Sequence, residues 1–303
     1  MIRSFFLLSV LPLLLFPQSR SSIVFLSDTQ QPMWIETLRL PRHDNEQAAR
    51  AIYRSVAQES TAAAIVHLGD ITYAGMFTSA WEDFDAFRKN VAVPLVSVPG
   101  NHEYFFLSPF AMRQYRQRFP SDETWHTFVV KNVAVIVLNS NMSRLDDEEN
   151  AEQRVWYEHL LKEYDADSSI AAVIVGCHHP PFTNSAIVDP SAEVREYFFG
   201  SFARSTKGIL FLSGHAHTFE QFTEEGKTAL VIGGGGGLQQ PLLPEAERRF
   251  HSVASDVNGT FHYIVCHIEE QRLRVEVRTL TPQQSVVPSA HVIDLPFSVK
   301  GTP

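Results

Sequence analysis

The sequence has little of what would hold a small chain together covalently or attach it to a polyanion. Only 2 of its 303 residues are cysteine, which excludes a small fold stapled by several disulfides. Its 25 Lys and Arg are outnumbered by 34 Asp and Glu and form no basic cluster, which argues against nucleic-acid binding. With 44% hydrophobic and 19% charged residues, it lacks the bias of collagen, coiled coils or disordered chains. An ordinary globular protein remains.

The apolar segment at the N-terminus is too short to span a bilayer, which takes about 20 residues. It runs from Phe5 to Phe16 behind Arg3, a pattern typical of a secretory signal peptide. Residues 1–21 are therefore interpreted as a signal peptide and residues 22–303 as one folded domain. An uncleaved membrane anchor is the alternative. Both interpretations place the domain outside the cytosol, secreted or periplasmic, and cleavage would leave no stable membrane association.

The two cysteines, Cys177 and Cys266, each lie inside an apolar run. They could form one disulfide in an oxidising compartment. Nothing in the sequence brings them within bonding distance, so two buried free thiols are the favoured interpretation.

Five short apolar runs are each followed by a polar residue of a kind that binds metal ions. Runs of this length, apolar on both alternating faces, predict strands buried in a layered α/β fold. Such folds place their sites at the carboxyl ends of the strands, so we expect the polar residues to meet at one rim. The runs are 23–27 before Asp28, 65–69 before Asp70, 95–100 before Asn101, 171–177 before His178, and 209–214 before His215.

Helical patterns fill most of the segments between these runs. A single apolar stripe at helical spacing predicts helices over 45–59, 79–89, 109–118, 152–164 and 192–202. The acidic residues from Asp146 to Glu149 are interpreted as a solvated first helical turn favoured by the helix dipole.

Strand patterns dominate elsewhere. The stretch 125–139 predicts a β-hairpin. After His217 the character shifts to strands, which are expected to add a second sheet or complete one, over 228–232, 261–268 and 272–278.

Gly233–Gly237 is a run of five glycines. No Lys-Ser or Lys-Thr follows it, which argues against a phosphate-binding P-loop. We expect a tight loop that needs positive φ, with close approach of its backbone to the functional site as the alternative.

The residues expected at the rim offer oxygen and imidazole ligands, which suit iron, manganese or zinc, and the lack of Cys ligands argues against a closed structural zinc site. They are more numerous than one ion uses, so two ions bridged by Asp70 are expected. Two such ions can clamp a phosphoryl group and hold a bridging hydroxide that attacks it. The set is Asp28, Asp70, Asn101, His178, His215 and His217, with Gln30 and Tyr73 as further candidates.

Five motifs in this order resemble those of the calcineurin-like metallophosphoesterases. Two of them, Gly69-Asp70-Ile71-Thr72-Tyr73 and Gly100-Asn101-His102-Glu103, are similar to the forms in purple acid phosphatases. The other three are Asp28-Thr29-Gln30, Val175-Gly176-Cys177-His178 and Gly214-His215-Ala216-His217. The resemblance implies a four-layer αββα sandwich and a dinuclear centre of iron with zinc, manganese or a second iron.

The resemblance also implies a role for each residue. It gives Asp28, Asp70, Tyr73 and His217 to the first metal ion, and Asp70, Asn101, His178 and His215 to the second. His102 is left off both ions and would contact the phosphate or the leaving group, which suits a general acid. His178 is preferred to His179 as the ligand because Pro180 completes a His-x-Pro pattern. His179 would face the substrate or pack beneath the loop.

Gln30 departs from the purple acid phosphatase pattern, which has glycine at this position. It resembles the manganese-dependent branch that cleaves ADP-ribose and CDP-alcohols, whose members place this Gln on the metal. If Gln30 coordinates, Tyr73 would only pack. If Tyr73 coordinates, its phenolate requires a strong Lewis acid such as ferric iron.

The sequence thus predicts an exported phosphatase that hydrolyses small phosphomonoesters at a dinuclear centre. A phosphodiesterase or nucleotide pyrophosphatase on the same centre is the alternative, indicated by Gln30. A binding protein that has lost turnover is a hypothesis of another class.

Overall fold

Two β-sheets organise the chain in the computed structural model, which describes residues 21–253 and 255–298. Residues 1–20 of the segment interpreted as a signal peptide (1–21) lie outside the described residues. The strands in chain order are β1 (Ser22–Leu26), β2 (Ala62–His67), β3 (Leu95–Ser97), β4 (His126–Val130), β5 (Val133–Leu138), β6 (Ala172–Cys177), β7 (Gly208–Ser213), β8 (Phe219–Glu224), β9 (Lys227–Ile232), β10 (Ser252–Val253), β11 (His262–Ile268), β12 (Arg272–Leu280) and β13 (Val286–Pro296).

The first sheet has six strands in the order β13-β12-β11-β1-β2-β3. Within it β1, β2 and β3 are parallel, and β11 to β13 extend the sheet in antiparallel fashion. The second sheet has seven strands in the order β10-β8-β9-β7-β6-β5-β4, with β5, β6, β7 and β9 parallel. The tail strands therefore extend both sheets, whereas the sequence pattern predicted that they would add or complete a single sheet. The tail also adds β8 and β13, which that pattern did not single out.

Alternation along the strands builds three cores and four layers. Ile23 and Phe25 of β1 face the second sheet and pack in one core with Val135 of β5. Their neighbours Val24 and Leu26 point the other way, into a core with the helices of the first sheet. A third core joins the outer face of the second sheet to its own helices. The expected four-layer αββα sandwich is confirmed.

All five predicted helices are present, with shifted ends. They are α1 (Asn45–Ala57), α2 (Glu82–Arg88), α3 (Ser108–Arg118), α4 (Asp147–Ala166) and α5 (Gly200–Arg204), the last continuing a π-helical turn over Val194–Phe199. No helix in the described part of the chain is long and apolar enough to cross a membrane.

Helix α4 starts at Asp147, five residues before the apolar stripe at 152–164, and the acidic run forms its cap and first turn as interpreted from the sequence. The Asp146 carboxylate accepts a hydrogen bond from Glu149 N (2.8 Å), and the Glu149 carboxylate accepts one from Asp146 N (2.9 Å). This capping box satisfies two backbone donors that the first turn would leave free.

The two cysteines are buried and free. Cys266 packs in the core between the two sheets, whereas Cys177 packs in the core between the second sheet and its helices. The favoured interpretation of two free thiols is confirmed.

We expect Asp146→Ala to lower the free energy of unfolding by about 1 kcal/mol, because the cap hydrogen bond is lost. Urea denaturation followed by circular dichroism measures the change. Asp146→Asn is the matched control, since Asn caps helices as well as Asp and should keep the stability near that of the wild type. Equal stability of the Ala and Asn variants would contradict a stabilising role for the cap.

Candidate metal centre

Three of the expected ligands follow their strands in a left-handed backbone conformation. The φ angles are +58° at Asp28, +53° at Asp70 and +65° at His215. Residues other than glycine adopt this region uncommonly, and strained backbone of this kind clusters at functional sites. The turn at His215 directs its backbone N–H to the Asp28 carboxylate, at 2.9 and 3.1 Å from the two oxygens. The ends of β1 and β7, from different sheets, are thereby joined.

Asp28, Gln30 and His217 form the first group of ligand atoms. His217 Nε2 lies 3.4 Å from Asp28 Oδ1. The Gln30 amide is oriented so that its nitrogen donates to the backbone carbonyls of Asp28 (3.2 Å) and Asp70 (2.9 Å), and its oxygen accepts from His217 Nε2 (3.1 Å). All three side chains are buried. A carboxylate, an amide oxygen and an imidazole nitrogen therefore face one another.

Asp70, Asn101 and His178 form the second group. His178 Nε2 lies 3.3 Å from Asp70 Oδ2 and 3.1 Å from Asn101 Oδ1. The His215 ring stands beside the His178 ring, with centroids 5.1 Å apart. Asp28, Asp70 and His178 offer ligand atoms within 4.8 Å of one another, so the two groups meet.

Backbone carbonyls fix the orientation of the imidazoles. His178 Nδ1 donates to the carbonyl oxygen of Leu68 (2.9 Å), and His217 Nδ1 donates to that of Leu238 (2.7 Å). In both rings Nε2 is left facing a buried carboxylate. Histidines that bind metal ions typically donate their second ring nitrogen in this way, which sets the tautomer and the ring plane.

His102 and Tyr73 lie at the edge of these groups. His102 Nδ1 donates to the backbone carbonyl of Tyr73 (2.9 Å), and its Nε2 lies 3.8 Å from Asp70 Oδ2. The Tyr73 ring stacks on Phe77, with centroids 6.3 Å apart, and lines an apolar cavity beside the centre. The structure thus brings the Gln30 side chain into direct contact with another expected ligand, His217, whereas the Tyr73 ring stacks on Phe77.

His179 belongs to the same cluster of rings. It packs against His178 and His215, with centroid distances of 4.9 and 4.6 Å, and its Nδ1 lies 2.9 Å from Ser140 Oγ. His178, His179 and His215 offer a further set of ligand atoms within 4.8 Å of one another. The sequence left His179 between two roles, and its place beside His215 favours the one that faces the centre.

Glu103 is a positioning residue to which the sequence analysis gave no role. Its buried carboxylate accepts hydrogen bonds from the backbone N–H groups of Gly100 (2.7 Å), Asp70 (2.8 Å), Ile71 (2.8 Å) and Thr72 (3.2 Å). These bonds tie the loop after β2 to the loop after β3. Burial and the nearby Asp70 carboxylate raise the pKa of Glu103 to about 7. The signal was present in the sequence, because Glu103 directly follows Asn101-His102.

The run of five glycines passes close to other parts of the chain, and its first and last members, Gly233 and Gly237, lie against the centre. A Cβ on Gly237 would come within 2.4 Å of the His217 ring, and one on Gly233 would lie 2.1 Å from the backbone oxygen of Ala216. The expectation of positive φ for Gly233–Gly237 is wrong, since none of the five is among the glycines with positive φ. Close backbone approach is the physical reason for this run.

Burial and charge pairing separate the histidines into two kinds. Burial lowers the pKa of His178, but the Asp70 carboxylate outweighs it and raises that pKa to about 9. His217 behaves in the same way, its pKa raised by the hydrogen bond to Asp28 in spite of burial. Burial, together with neighbouring histidines, lowers the pKa of His179 to about 3 and that of His215 well below its usual value. The buried carboxylates therefore attract positive charge.

The donor set fits metal ions. Two buried carboxylates, two amide oxygens and several imidazoles converge, and the Nε2 atoms of His178 and His217 lie 3.3 and 3.4 Å from the carboxylates of Asp70 and Asp28. Oxygen and nitrogen donors of this kind suit iron, manganese or zinc.

The family comparison gives the same indication. Residues 21–219 match the family model for calcineurin-like phosphoesterases, well over half of the 303 residues. The chain belongs to the calcineurin-like phosphoesterase family. Membership in this family implies a metal-dependent phosphoester hydrolase.

Solved structures share this fold at low sequence identity. A purple acid phosphatase from yellow lupin (Lupinus luteus) seeds has 17% identity and a TM-score of 0.66, over 87% of this chain and 52% of that chain. A dimetal phosphatase from Danio rerio has 14% identity and a TM-score of 0.62, over 92% of this chain and 99% of that chain. GAP50, the anchor in the inner membrane complex of Plasmodium, has 13% identity and a TM-score of 0.66, over 93% of this chain and 90% of that chain. This chain spans about half the length of the lupin enzyme.

Replacing Glu103 by Gln leaves one oxygen for four backbone N–H groups and turns an amide N–H toward them. We expect the affinity for metal ions to fall about 10–100-fold, the usual effect of losing a group that orients metal ligands. Competition with a chromophoric chelator measures this affinity. Glu148→Gln, on the exposed face of α4, is the control. Unchanged metal affinity in the Glu103 variant would show that the two loops hold their ligands without it.

Proposed function

We propose that this protein is an exported phosphatase that hydrolyses small phosphomonoesters at a dinuclear metal centre. The proposal places Asp28, Gln30 and His217 on one ion, Asn101, His178 and His215 on the other, and Asp70 between them. Tyr73 is the alternative to Gln30. Iron with zinc, manganese or a second iron is the proposed metal content.

One observation carries the proposal. The Nε2 atoms of His178 and His217 face the buried carboxylates of Asp70 and Asp28, while backbone carbonyls hold their Nδ1 atoms. A structural role alone does not require two buried carboxylates to meet several imidazoles at one rim. Two cations bound there would polarise a phosphoryl group and activate a water molecule.

His102 is the proposed catalytic residue. Its Nδ1–H is engaged by the Tyr73 carbonyl, so Nε2 remains on the side of the centre, 3.8 Å from Asp70 Oδ2. That position suits a group that contacts the phosphoryl oxygens or protonates the leaving alcohol.

A phosphodiesterase or pyrophosphatase is the second candidate, and Gln30 supports it. The contact between the Gln30 amide and His217 Nε2 (3.1 Å) puts this side chain among the ligand atoms of the first group. A neutral amide in place of a phenolate favours a divalent ion such as manganese.

Export rests on the N-terminal segment 1–21. Sequencing the N-terminus of the mature protein from a cell fraction outside the cytosol tests it. An intact N-terminus on a cytosolic protein would contradict export.

The first test of the function is the ratio of hydrolysis rates for an aryl phosphomonoester and its bis-aryl diester, on protein loaded in parallel with iron, zinc and manganese. A ratio well above one, highest with iron, is the expected result. A ratio below one, highest with manganese, would favour the diesterase with Gln30 on the metal. Loaded protein that hydrolyses neither ester would instead indicate a binding protein.

We expect His102→Ala to lower kcat by about 10²–10⁴ with both metal ions retained, the range for a lost general acid. Steady-state kinetics and metal analysis by mass spectrometry measure the two quantities together. Conversion of the exposed His159, which lies on α4, to Ala is the control. Loss of the metal ions in the His102 variant would make this residue structural rather than catalytic.

A further inference from the structure

An apolar cavity of about 710 Å³ opens beside the candidate metal centre. Its walls come from two segments, 31–35 after β1 and 105–106 after β3, together with Tyr73 and Phe77. Pockets for small molecules typically have volumes of this order and mainly apolar walls. The cavity therefore has the size and lining of a binding site for a small organic group.

The cavity adjoins the catalytic end of the centre. The His102 ring packs against the Phe105 ring, with centroids 4.3 Å apart. The Tyr73 carbonyl accepts the His102 Nδ1–H at 2.9 Å, and the Tyr73 ring lines the cavity. The His102 imidazole thus contacts Phe105 and Tyr73 of the cavity wall, and its Nε2 faces Asp70.

The aromatic wall is continuous. Phe105 lies 6.4 Å from Phe106, Phe106 lies 5.9 Å from Phe77, and Phe77 lies 6.3 Å from Tyr73, measured between ring centroids. Trp34 adds a further ring from the opposite segment. Rings at these separations provide faces and edges on which a planar aromatic group can stack.

Exposure shows that the folded chain does not use these side chains for its own core. Trp34 is 75% exposed, Phe106 68% and Ile35 54%. Among the residues that the structure describes, twelve large apolar side chains are exposed, and four of them line this one cavity: Trp34, Ile35, Phe77 and Phe106. Exposed apolar side chains gathered in this way mark binding surfaces, whereas scattered ones do not.

The backbone that carries one of these rings is strained. Phe106 has a φ of +67°, a conformation that is an outlier for a bulky residue and costs free energy. The opposite segment is ordered by a hydrogen bond from Met33 N to the Glu36 carboxylate at 2.7 Å. Both walls are therefore formed before any ligand binds.

We propose that this cavity is a subsite for the alcohol side of the phosphoester and selects substrates that carry a planar aromatic ring there. The proposal rests on the proposed function, since it assigns the phosphoryl group to the metal centre. With the phosphoryl group on the metal ions that Asp28 and Asp70 would hold, the ester oxygen would lie toward His102 and the group attached to it would enter the cavity. An aryl group and a nucleobase share the planar ring and are the two possible sources.

A membrane surface is the competing occupant, and two observations disfavour it. The apolar side chains line a concave space rather than a protruding loop. The chain also carries a formal net charge of −9, which opposes adsorption to anionic lipid.

Two pairs of substrates test the subsite without changing the leaving group. The first pair is 2-(1-naphthyl)ethyl phosphate and propyl phosphate, and the second is adenosine 5′-monophosphate and ribose 5-phosphate. All four release a primary alcohol, so a difference in kcat/KM within a pair reports the ring. We expect the ring to raise kcat/KM about tenfold in at least one pair, the effect of an added buried aromatic contact. The pair that responds identifies the source of the ring.

The double variant Trp34→Ala/Phe106→Ala removes one aromatic ring from each wall of the cavity. Both side chains are exposed, so the fold should be retained. We expect it to lose the preference for the ring and to keep kcat/KM for propyl phosphate. Phe110→Ala is the matched control, because this Phe is 56% exposed on α3 and does not line the cavity. A preference that survives in the double variant, or one that is absent from the wild type in both pairs, would overturn the proposal.

Binding provides a readout independent of turnover. Isothermal titration of the metal-loaded protein with 2-(1-naphthyl)ethylphosphonate and with propylphosphonate should show the same preference and the same loss in the double variant. Ring-dependent binding without hydrolysis of any ester would support the proposed subsite and contradict the proposed phosphatase activity. Hydrolysis without ring preference would keep the phosphatase and reject the subsite. Sedimentation with phosphatidylcholine vesicles that depends on Trp34 and Phe106, with no ring preference, would favour the membrane.

Discussion

Two carboxylates, those of Asp28 and Asp70, are buried almost completely at the ends of neighbouring parallel strands. Charge that is removed from water must be paired or hydrogen-bonded, so this placement constrains everything around it. The Asp28 carboxylate accepts a hydrogen bond from the backbone N–H of His215, and the Asp70 carboxylate accepts one from the backbone N–H of His102 at 2.9 Å. The imidazoles of His178 and His217 complete the pairing from the second sheet. The two sheets are therefore joined at the centre by charge as well as by the apolar core between them.

The same constraint explains features that look unrelated in the sequence. Side chains that turn inward at a strand end require the next loop to pass very close, and Gly233 to Gly237 meet this need by having no Cβ. Glu103 has a complementary effect, because one carboxylate collects the N–H groups of two loops that would otherwise be buried without partners. Left-handed backbone at Asp28, Asp70 and His215 is the local cost of this geometry.

The fold and the members of the centre could be predicted because their signals are local and ordered. Buried strands are short apolar runs, and Asp28, Asp70 and His215 come directly after them or one glycine later. The choice between Gln30 and Tyr73 could not be made from the sequence, since it depends on which of the two side chains turns toward His217. The cavity was equally hidden, because Trp34 and Phe106 lie in segments without periodicity and their exposure depends on what packs nearby. Strand β13 was not predicted because it lies at the edge of the first sheet, where the alternation of apolar and polar residues is weak.

His102 connects the two chemically opposite halves of the site. Its Nε2 faces the carboxylates that gather positive charge, and its ring packs against Phe105, the first ring of an apolar wall. A charged centre would normally be surrounded by water, which weakens every electrostatic interaction at its edge. An aromatic group seated in the cavity would exclude water from one side of His102 and strengthen its interaction with the phosphoryl group. Binding of the ring and stabilisation of the transition state would then be coupled through one imidazole, so the cavity would contribute to kcat as well as to KM.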